Sequence, residues 1–111
     1  MTIGYDDFAK VEMRVGRVER AEAFAKARKP AIKLWIDFGP EVGTKKSSAQ
    51  ITQHYTPEEL EGRLVVAVTN FPPRQIADFN SEVLVLGLPD PDGNVVLLSP
   101  DQDVPLGGRV F

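Results

Sequence analysis

The sequence contains no cysteine and only one histidine, His54, among its 111 residues. Without cysteine, neither disulfide bonds nor thiolate metal sites are available. A zinc site would have to rest on carboxylates around a single imidazole, which is a weak ligand set for that metal. We therefore expect no metal and no cofactor.

Long hydrophobic runs are also missing. No apolar stretch approaches the roughly 20 residues that a membrane-spanning helix needs. Residues 1–7 lack the basic stretch and apolar run that are typical of a signal peptide. The chain has the length of one small domain, so we expect a single domain over residues 1–111 that is located in the cytoplasm.

The charge is small in total, with a net value of -3, but it is unevenly distributed. Residues 10–46 contain ten of the thirteen basic residues and five acidic ones, whereas residues 47–111 contain three basic and nine acidic residues. This asymmetry can give an acidic protein a basic face that attracts an anionic partner. Ordinary solvated surface charge is the alternative, and convergence of the basic residues in space would separate the two.

Alternating apolar and polar residues predict several β-strands. In residues 11–18 the alternation changes phase at Gly16, as a bulge or a sharp bend would require. Residues 32–38 alternate most regularly and place Trp35 on the polar face together with Lys33. An exposed Trp there either contacts a partner or covers a second layer or a neighbouring subunit. Further strands are predicted at residues 45–51, 64–68, 83–88 and 94–99, the first of them polar enough to face solvent or a ligand.

A short helix is predicted between the third and fourth strands. Thr56 fits a helix cap, with Pro57 at the first helical position, Glu59 completing a capping box and Gly62 as the stop. Short strands, a bulge glycine and a helix in this place together predict an all-β fold, a five-stranded OB-fold barrel.

A polar stretch at residues 70–82 connects two predicted buried strands. Its Pro72-Pro73 pair stiffens the chain, because proline cannot donate to a strand ladder and restricts the residue before it. Stiff loops that carry amide, guanidinium and hydroxyl groups on a rigid scaffold are common binding sites. The alternative is a tight connection whose polar groups satisfy only one another.

The predicted binding residues come from this stretch and from strands two and three, which form the usual binding face of an OB-fold. The residues are Lys33, Trp35, Lys46, Ser48, Gln50, Asn70, Phe71, Arg74, Gln75, Ser81 and Glu82. Among them we expect Asn70 and Ser81 to be structural and Arg74 and Gln75 to face the ligand. A buried pair between Arg74 and Glu82 is the competing arrangement.

Catalytic machinery is not evident. His54 lies in a loop just before the helix cap, and the acidic residues beside it are explained by the capping box. General acid–base catalysis needs positioned titratable groups, and neither a Gly-rich phosphate loop nor a hydrolase elbow is present. We therefore expect a binding protein and not an enzyme.

Several segments occur together in one order: RKPA at 28–31, KLWIDFG at 33–39, SSAQIT at 47–52, NFPPRQI at 70–76 and SEVLVLG at 81–87. In combination they resemble the tRNA-binding-domain family, and within it the CsaA-type export-related chaperones, over about residues 8–111. The resemblance implies an OB-fold core, a homodimer joined through N- and C-terminal extensions, and binding in place of catalysis. Ile32 and the Phe24-Ala25-Lys26 segment depart from the pattern, which affects the Lys- and Arg-containing loop before the strand at residues 32–38 and its ligand preference.

The resemblance implies two kinds of ligand. Relatives in the wider family bind the outside corner of tRNA, whereas the CsaA-type members bind unfolded or exported polypeptides and parts of the secretion machinery. We therefore expect a homodimeric chaperone that recognises unfolded polypeptides or preproteins and assists protein export, with tRNA-binding as the alternative. The net negative charge disfavours tight RNA-binding, because that affinity depends on neutralising phosphates with Lys and Arg. Apolar residues near both ends agree with a dimer: Ile3, Tyr5, Phe8, Val110 and Phe111.

Overall fold

The computed structural model describes residues 1–111 and centres on a five-stranded antiparallel sheet that curls into a nearly closed barrel. The strands are β1 (Met13–Ala23), β2 (Ile32–Asp37), β3 (Thr44–Ala49), β4 (Leu64–Val68), β5 (Arg74–Ile76), β6 (Phe79–Ser81), β7 (Leu84–Val85), β8 (Gly87–Pro89) and β9 (Val95–Leu97). The helices are α1 (Tyr5–Ala9), α2 (Gly39–Val42) and α3 (Pro57–Leu60). The barrel order is β3-β2-β1-β4-β7, while β5–β6 and β8–β9 form separate hairpins. This architecture confirms the predicted OB-fold.

Strand β1 holds the barrel together because it pairs with two different partners. Residues 13–17 pair with β4, and residues 17–23 pair with β2. The register shifts between Val18 and Arg20, so the irregularity lies after Gly16 and not at it. The sequence pattern therefore indicated a bend in the correct strand but assigned it to the wrong residue.

Gly16 is required instead by close packing inside the barrel. A Cβ atom at this position would lie 2.5 Å from Ile36 Cγ2 and 2.8 Å from Phe38 Cδ1, which is closer than such atoms approach. Both neighbours are fully buried, so neither side chain can move aside into solvent.

The core lies between β2 and β4 and extends to α3. Alternate residues of β2 point inward, as the sequence pattern predicted, and Ile32, Leu34 and Ile36 are almost completely buried. The predicted capping box is present: the Glu59 N–H donates to Thr56 Oγ1, and the Thr56 N–H donates to Glu59 Oε1. This cap begins the short helix that brings Leu60 into the core.

The barrel closes where β3 meets residues 82–83. The backbone N–H groups of Glu82 and Val83 both donate to the carbonyl oxygen of Lys46, at 2.8 and 3.3 Å. The Ser47 hydroxyl donates to the carbonyl oxygen of Val83 at 2.9 Å, and Ser47 is buried. Ser47 therefore contributes to barrel closure, whereas the sequence pattern predicted that the polar residues of this strand face solvent or a ligand.

Three segments differ from the sequence-based expectation. The short connection between the predicted strands at residues 32–38 and 45–51 contains the one-turn helix α2. The predicted strand at residues 83–88 divides into β7, which pairs with β4, and β8, which pairs with β9. The connection at residues 70–82 contains the β5–β6 hairpin, whose three-residue strands are too short to produce a visible alternation. None of the three helices is long and apolar enough to cross a membrane.

Residues 105–110 pack along the first part of β1. The Gly107 N–H donates to the Val15 carbonyl, the Val15 N–H donates to the Gly108 carbonyl, and the Val110 N–H donates to the Met13 carbonyl. Gly107 has a φ of +88°, and a Cβ atom there would lie 2.5 Å from the Phe38 carbonyl oxygen. Only glycine, which has no Cβ atom, allows the backbone at residue 107 to lie this close to the Phe38 carbonyl.

We predict that Gly16→Ala lowers the free energy of unfolding by about 1–3 kcal/mol, the usual cost of overpacking a core. Gly4→Ser is the control, because Gly4 is the exposed N-cap residue of α1, its Cβ atom would lie an ordinary 3.8 Å from Asp7 Oδ2, and serine is favourable at an N-cap. We expect that exposed substitution to change stability by no more than about 0.5 kcal/mol. Denaturant unfolding of both variants provides the measurement, and equal stabilities would contradict the packing argument.

Candidate binding site

The β5–β6 hairpin covers part of the predicted binding face. Phe79 of β6 is buried and packs edge-on against Trp35, with ring centroids 5.7 Å apart, and against Phe24, at 5.5 Å. Phe24 belongs to the loop between β1 and β2, residues 24–31, which we call the basic loop. Together with Ala31 these rings form a second small core outside the barrel, and it ties the hairpin to the basic loop.

Cationic side chains lie over this aromatic cluster. The Arg20 guanidinium is 4.3 Å from the centroid of the Trp35 ring. Lys33 Nζ lies 4.9 Å from the Phe24 centroid, and Lys46 Nζ lies 5.3 Å from that of Phe79. A cation over an aromatic ring contributes about 0.5–1 kcal/mol at an exposed site. Of the two interpretations of Trp35, the structure supports a ring that covers a second layer.

Polar side chains of the connection at residues 70–82 form hydrogen bonds with backbone groups. Asn70 accepts from the Glu12 N–H at 2.9 Å and donates to the Lys10 carbonyl at 2.7 Å. Ser81 Oγ accepts from the Ser48 N–H, and Glu82 Oε1 accepts from the Lys46 N–H, both at 3.0 Å. Ser81 and Glu82 thus occupy the outer edge of β3, where another strand would otherwise pair.

Arg74 follows a different pattern from these three residues. Its side chain is exposed and forms no ion pair, so the predicted alternative of a buried pair with Glu82 is wrong. Gln75 is exposed as well, and its side-chain amide donates to the Ala77 carbonyl at 2.9 Å. Whether these residues contact a ligand stays a prediction.

Four of the predicted binding residues, Ser48, Gln50, Arg74 and Gln75, line a cleft of about 560 Å³ between the basic loop, the end of β3 and strand β5, which we call the basic cleft. Its lining residues are Lys26, Ala27, Arg28, Lys29, Ala31, Ser48, Gln50, Arg74, Gln75, Ile76 and Ala77. Arg28, Lys29 and Arg74 are exposed and have no acidic partner. The positive charge of residues 10–46 is therefore partly concentrated at one site.

A second cleft of about 380 Å³ adjoins the first and shares Ser48, Arg74 and Ile76 with it. We call it the Phe71 cleft, because Phe71 forms its exposed apolar wall, with half of its surface accessible. The two clefts together offer cations, hydrogen-bonding groups and an apolar surface along one path.

An ion pair that the sequence did not reveal links the basic loop to the hairpin turn. Lys26 Nζ lies 2.8 Å from Asp78 Oδ2, and this hydrogen bond lowers the pKa of the Asp78 carboxyl and raises the pKa of Lys26. Ala77, beside Asp78, is the only residue other than glycine with a positive φ, at 51°. Such a conformation costs an L-residue about 1–2 kcal/mol, and strain of this kind is common at functional sites.

His54 lies outside both clefts. Its Nε2 atom is 2.6 Å from Asp90 Oδ2, and this contact lowers the pKa of the Asp90 carboxyl. Asp90 Oδ1 also accepts from the backbone N–H groups of Asp92 and Asn94 within the turn between β8 and β9. The histidine thus ties the loop before α3 to this turn, and no cluster of His, Asp and Glu that could hold a metal is present.

Comparisons with known proteins agree with this fold. The family described as putative tRNA binding domain matches residues 13–109. The crystal structure of chaperone CsaA from Bacillus anthracis is 51% identical, with a TM-score of 0.92, and the match covers 100% of both chains. The CsaA chaperone protein from Picrophilus torridus is 50% identical, also with a TM-score of 0.92, over 99% of this chain and 100% of that one.

The chain is also similar to a small part of a tRNA ligase. The methionine–tRNA ligase of Methanococcus aeolicus is 41% identical over 108 residues, which are 97% of this chain and 15% of the enzyme. The similarity is thus to a small part of the ligase, whereas the CsaA chains match from end to end. By the family match and by full-length similarity to CsaA structures, this chain belongs to the tRNA-binding-domain family.

Proposed function

We propose that the chain, acting as a single OB-fold domain over residues 1–111, is a homodimeric chaperone-like protein that binds unfolded or exported polypeptides. In this proposal it assists protein secretion from the cytoplasm, where newly made polypeptides occur, and it performs no catalysis. The observation that carries the proposal is the pair of joined clefts, which combines hydrogen-bonding groups, cations and the apolar wall of Phe71. The full-length similarity to CsaA chaperones supports it.

The proposed binding residues have different parts in this site. Ser48, Gln50, Arg74 and Gln75 line the basic cleft, and Phe71 lines its neighbour. Ser81 and Glu82 line the Phe71 cleft as well and also bond to β3. The remaining residues lie outside both clefts and support or charge the neighbouring surface: Lys33, Trp35, Lys46 and Asn70. Extended polypeptides suit such a surface, because their backbone groups need polar partners while their side chains need pockets.

Binding of tRNA is the second candidate function, and the unpaired cations of the basic cleft favour it. Arg28, Lys29 and Arg74 line one concave surface, together with Lys26, which is paired with Asp78. Clustered cations of this kind contact phosphates. The half-exposed ring of Phe71 is available for stacking on a base. The family match and the similarity to a tRNA ligase agree with this alternative.

The proposed dimer surface is an apolar region formed by α1, β1, β4 and the C-terminal segment. One cleft is lined by Tyr5, Phe8, Ala9, Val11, Arg109, Val110 and Phe111. A second is lined mostly by apolar residues, among them Met13, Val66, Leu86, Leu98 and Val104, and it shares Arg109 and Val110 with the first. Contiguous exposed apolar surface of this kind marks interfaces between proteins.

We predict that the protein is a dimer at micromolar concentration and that Val110→Asp makes it largely monomeric, because the charge would have to be buried in the interface. Leu88→Asp is the control, since Leu88 is an exposed apolar residue outside both clefts. Light scattering after size-exclusion chromatography measures the mass. A monomeric wild-type protein, or equal masses for the two variants, would remove the proposed interface.

We predict that Arg74→Ala weakens binding without changing the thermal stability, because the side chain is exposed and unpaired. Glu82→Ala should instead lower the free energy of unfolding by about 1–3 kcal/mol, because it leaves the half-buried N–H of Lys46 without an acceptor. Thermal melting and a binding assay with a denatured polypeptide test both. A large drop in stability for Arg74→Ala would place it among the structural residues.

Salt dependence distinguishes the two candidate ligands. Binding of tRNA should fall by a factor on the order of a thousand between about 50 and 200 mM salt if some six phosphates are neutralised. A denatured polypeptide held by apolar contacts and backbone hydrogen bonds should respond much less. Fluorescence titrations with both ligands give the two slopes. Tight tRNA binding at physiological salt, with no binding of denatured polypeptides, would replace the chaperone proposal with the tRNA-binding one.

A further inference from the structure

Strand β5 has one free edge. The β5–β6 hairpin pairs Arg74 with Ser81, Gln75 with Asn80 and Ile76 with Phe79, and a loop of two residues joins the strands. The pair next to a two-residue loop must exchange both of its hydrogen bonds, and hydrogen-bonded and non-hydrogen-bonded pairs alternate along an antiparallel ladder. Ile76 and Arg74 therefore bond to β6, whereas the N–H and the C=O of Gln75 point away from it.

The basic cleft lies along this free edge. It is lined by residues 74–77 of β5 and the turn, and by no residue of β6. No backbone hydrogen bond joins the basic loop across the cleft to β5, so the loop does not serve as the missing strand. The backbone N–H and C=O of Gln75 are thus a donor and an acceptor that face the cleft, with the spacing that another β-strand would require.

We propose that an extended polypeptide segment with acidic side chains adds to the edge of β5 and pairs with the backbone of Gln75; this inference rests on the proposed polypeptide-binding function. Adding a strand to an exposed sheet edge is a general mode of peptide recognition, in which backbone bonds hold the peptide and flanking groups select its side chains. The flanking groups here are the unpaired cations Arg28, Lys29 and Arg74, which match carboxylates.

The geometry favours a peptide over RNA at this edge. A phosphate group accepts hydrogen bonds but cannot donate them, so an RNA would have to turn a ribose hydroxyl or a base N–H to the Gln75 carbonyl. A peptide backbone supplies both a donor and an acceptor at the strand spacing. The same cations can still attract RNA to the rim of the cleft, and the test below separates the two modes.

The test removes the outward N–H of Gln75 without touching the hairpin ladder. Gln75→Pro eliminates that donor, and proline is tolerated in an edge strand where its missing N–H faces outward. Gln75→Ala is the matched control, because both variants lose the side-chain bond to Ala77 but only the proline variant loses the backbone donor. The probe is a fluorescein-labelled nine-residue peptide of alternating glutamate and threonine.

We expect Gln75→Pro to bind this peptide about three- to tenfold more weakly than Gln75→Ala, the effect of one lost hydrogen bond. A peptide with all its backbone amides N-methylated should bind the wild-type protein at least as weakly, because it cannot donate to the Gln75 carbonyl. A peptide with lysine in place of glutamate should also bind more weakly. The N-methyl comparison uses only the wild-type protein, so it decides the question even if Gln75→Pro disturbs the hairpin.

Three negative results have different meanings. If the wild-type protein binds neither this peptide nor a denatured polypeptide, the proposed function itself fails. If the wild-type protein binds the peptide but tolerates both Gln75→Pro and N-methylation, polypeptide binding stands and pairing with β5 is wrong. If a nine-nucleotide RNA displaces the peptide and binds both Gln75 variants equally, the cleft is a phosphate site and the proposal is also overturned.

Discussion

The barrel depends on the hydrogen bonds that join the edge of β3 to residues 81–83, because these bonds connect the two ends of the five-stranded sheet. The Lys46 carbonyl accepts two of them, while the side chains of Ser81 and Glu82 accept from the N–H groups of β3. Unpaired backbone groups at this edge would otherwise be costly where they are buried and prone to pairing with other chains where they are exposed. Closure also fixes the end of β6, and thereby positions the hairpin over the outer face of β2.

The position of the hairpin determines what the outer face can do. Phe79 fills the space above Trp35 and Phe24, so the aromatic rings of this face stabilise the hairpin and are not free for a ligand. Lys33 and Lys46 then lie at the surface of this aromatic layer. The surface that remains open lies to one side, in the basic cleft between the hairpin and the basic loop, where Arg28, Lys29 and Arg74 have no acidic partners.

The regular parts of the fold could be predicted from the sequence, because local signals specify them. The alternation in β2 and the capping box at Thr56 each depend on neighbours close in the chain, and both are present. The β5–β6 hairpin was missed because its strands have three residues each and its turn places alanine where glycine is usual. The role of Glu82 was missed for another reason: its partner, the N–H of Lys46, is 36 residues away, and only closure brings them together.

The proposed binding and dimer surfaces have no residue in common. The basic loop, β3 and the hairpin region form the basic and Phe71 clefts, whereas α1, β1, β4 and the C-terminal segment form the apolar surface. Each protomer of the proposed dimer would therefore keep a complete basic cleft. A single short contact with one strand edge gives weak binding, because few hydrogen bonds are formed and the peptide loses conformational freedom. Two clefts that hold one long unfolded chain at separate points convert the second contact into an intramolecular one and raise the overall affinity by about 10²–10⁴-fold where the geometry permits. Dimerisation would thus select long extended chains over short peptides without any further contact in the cleft.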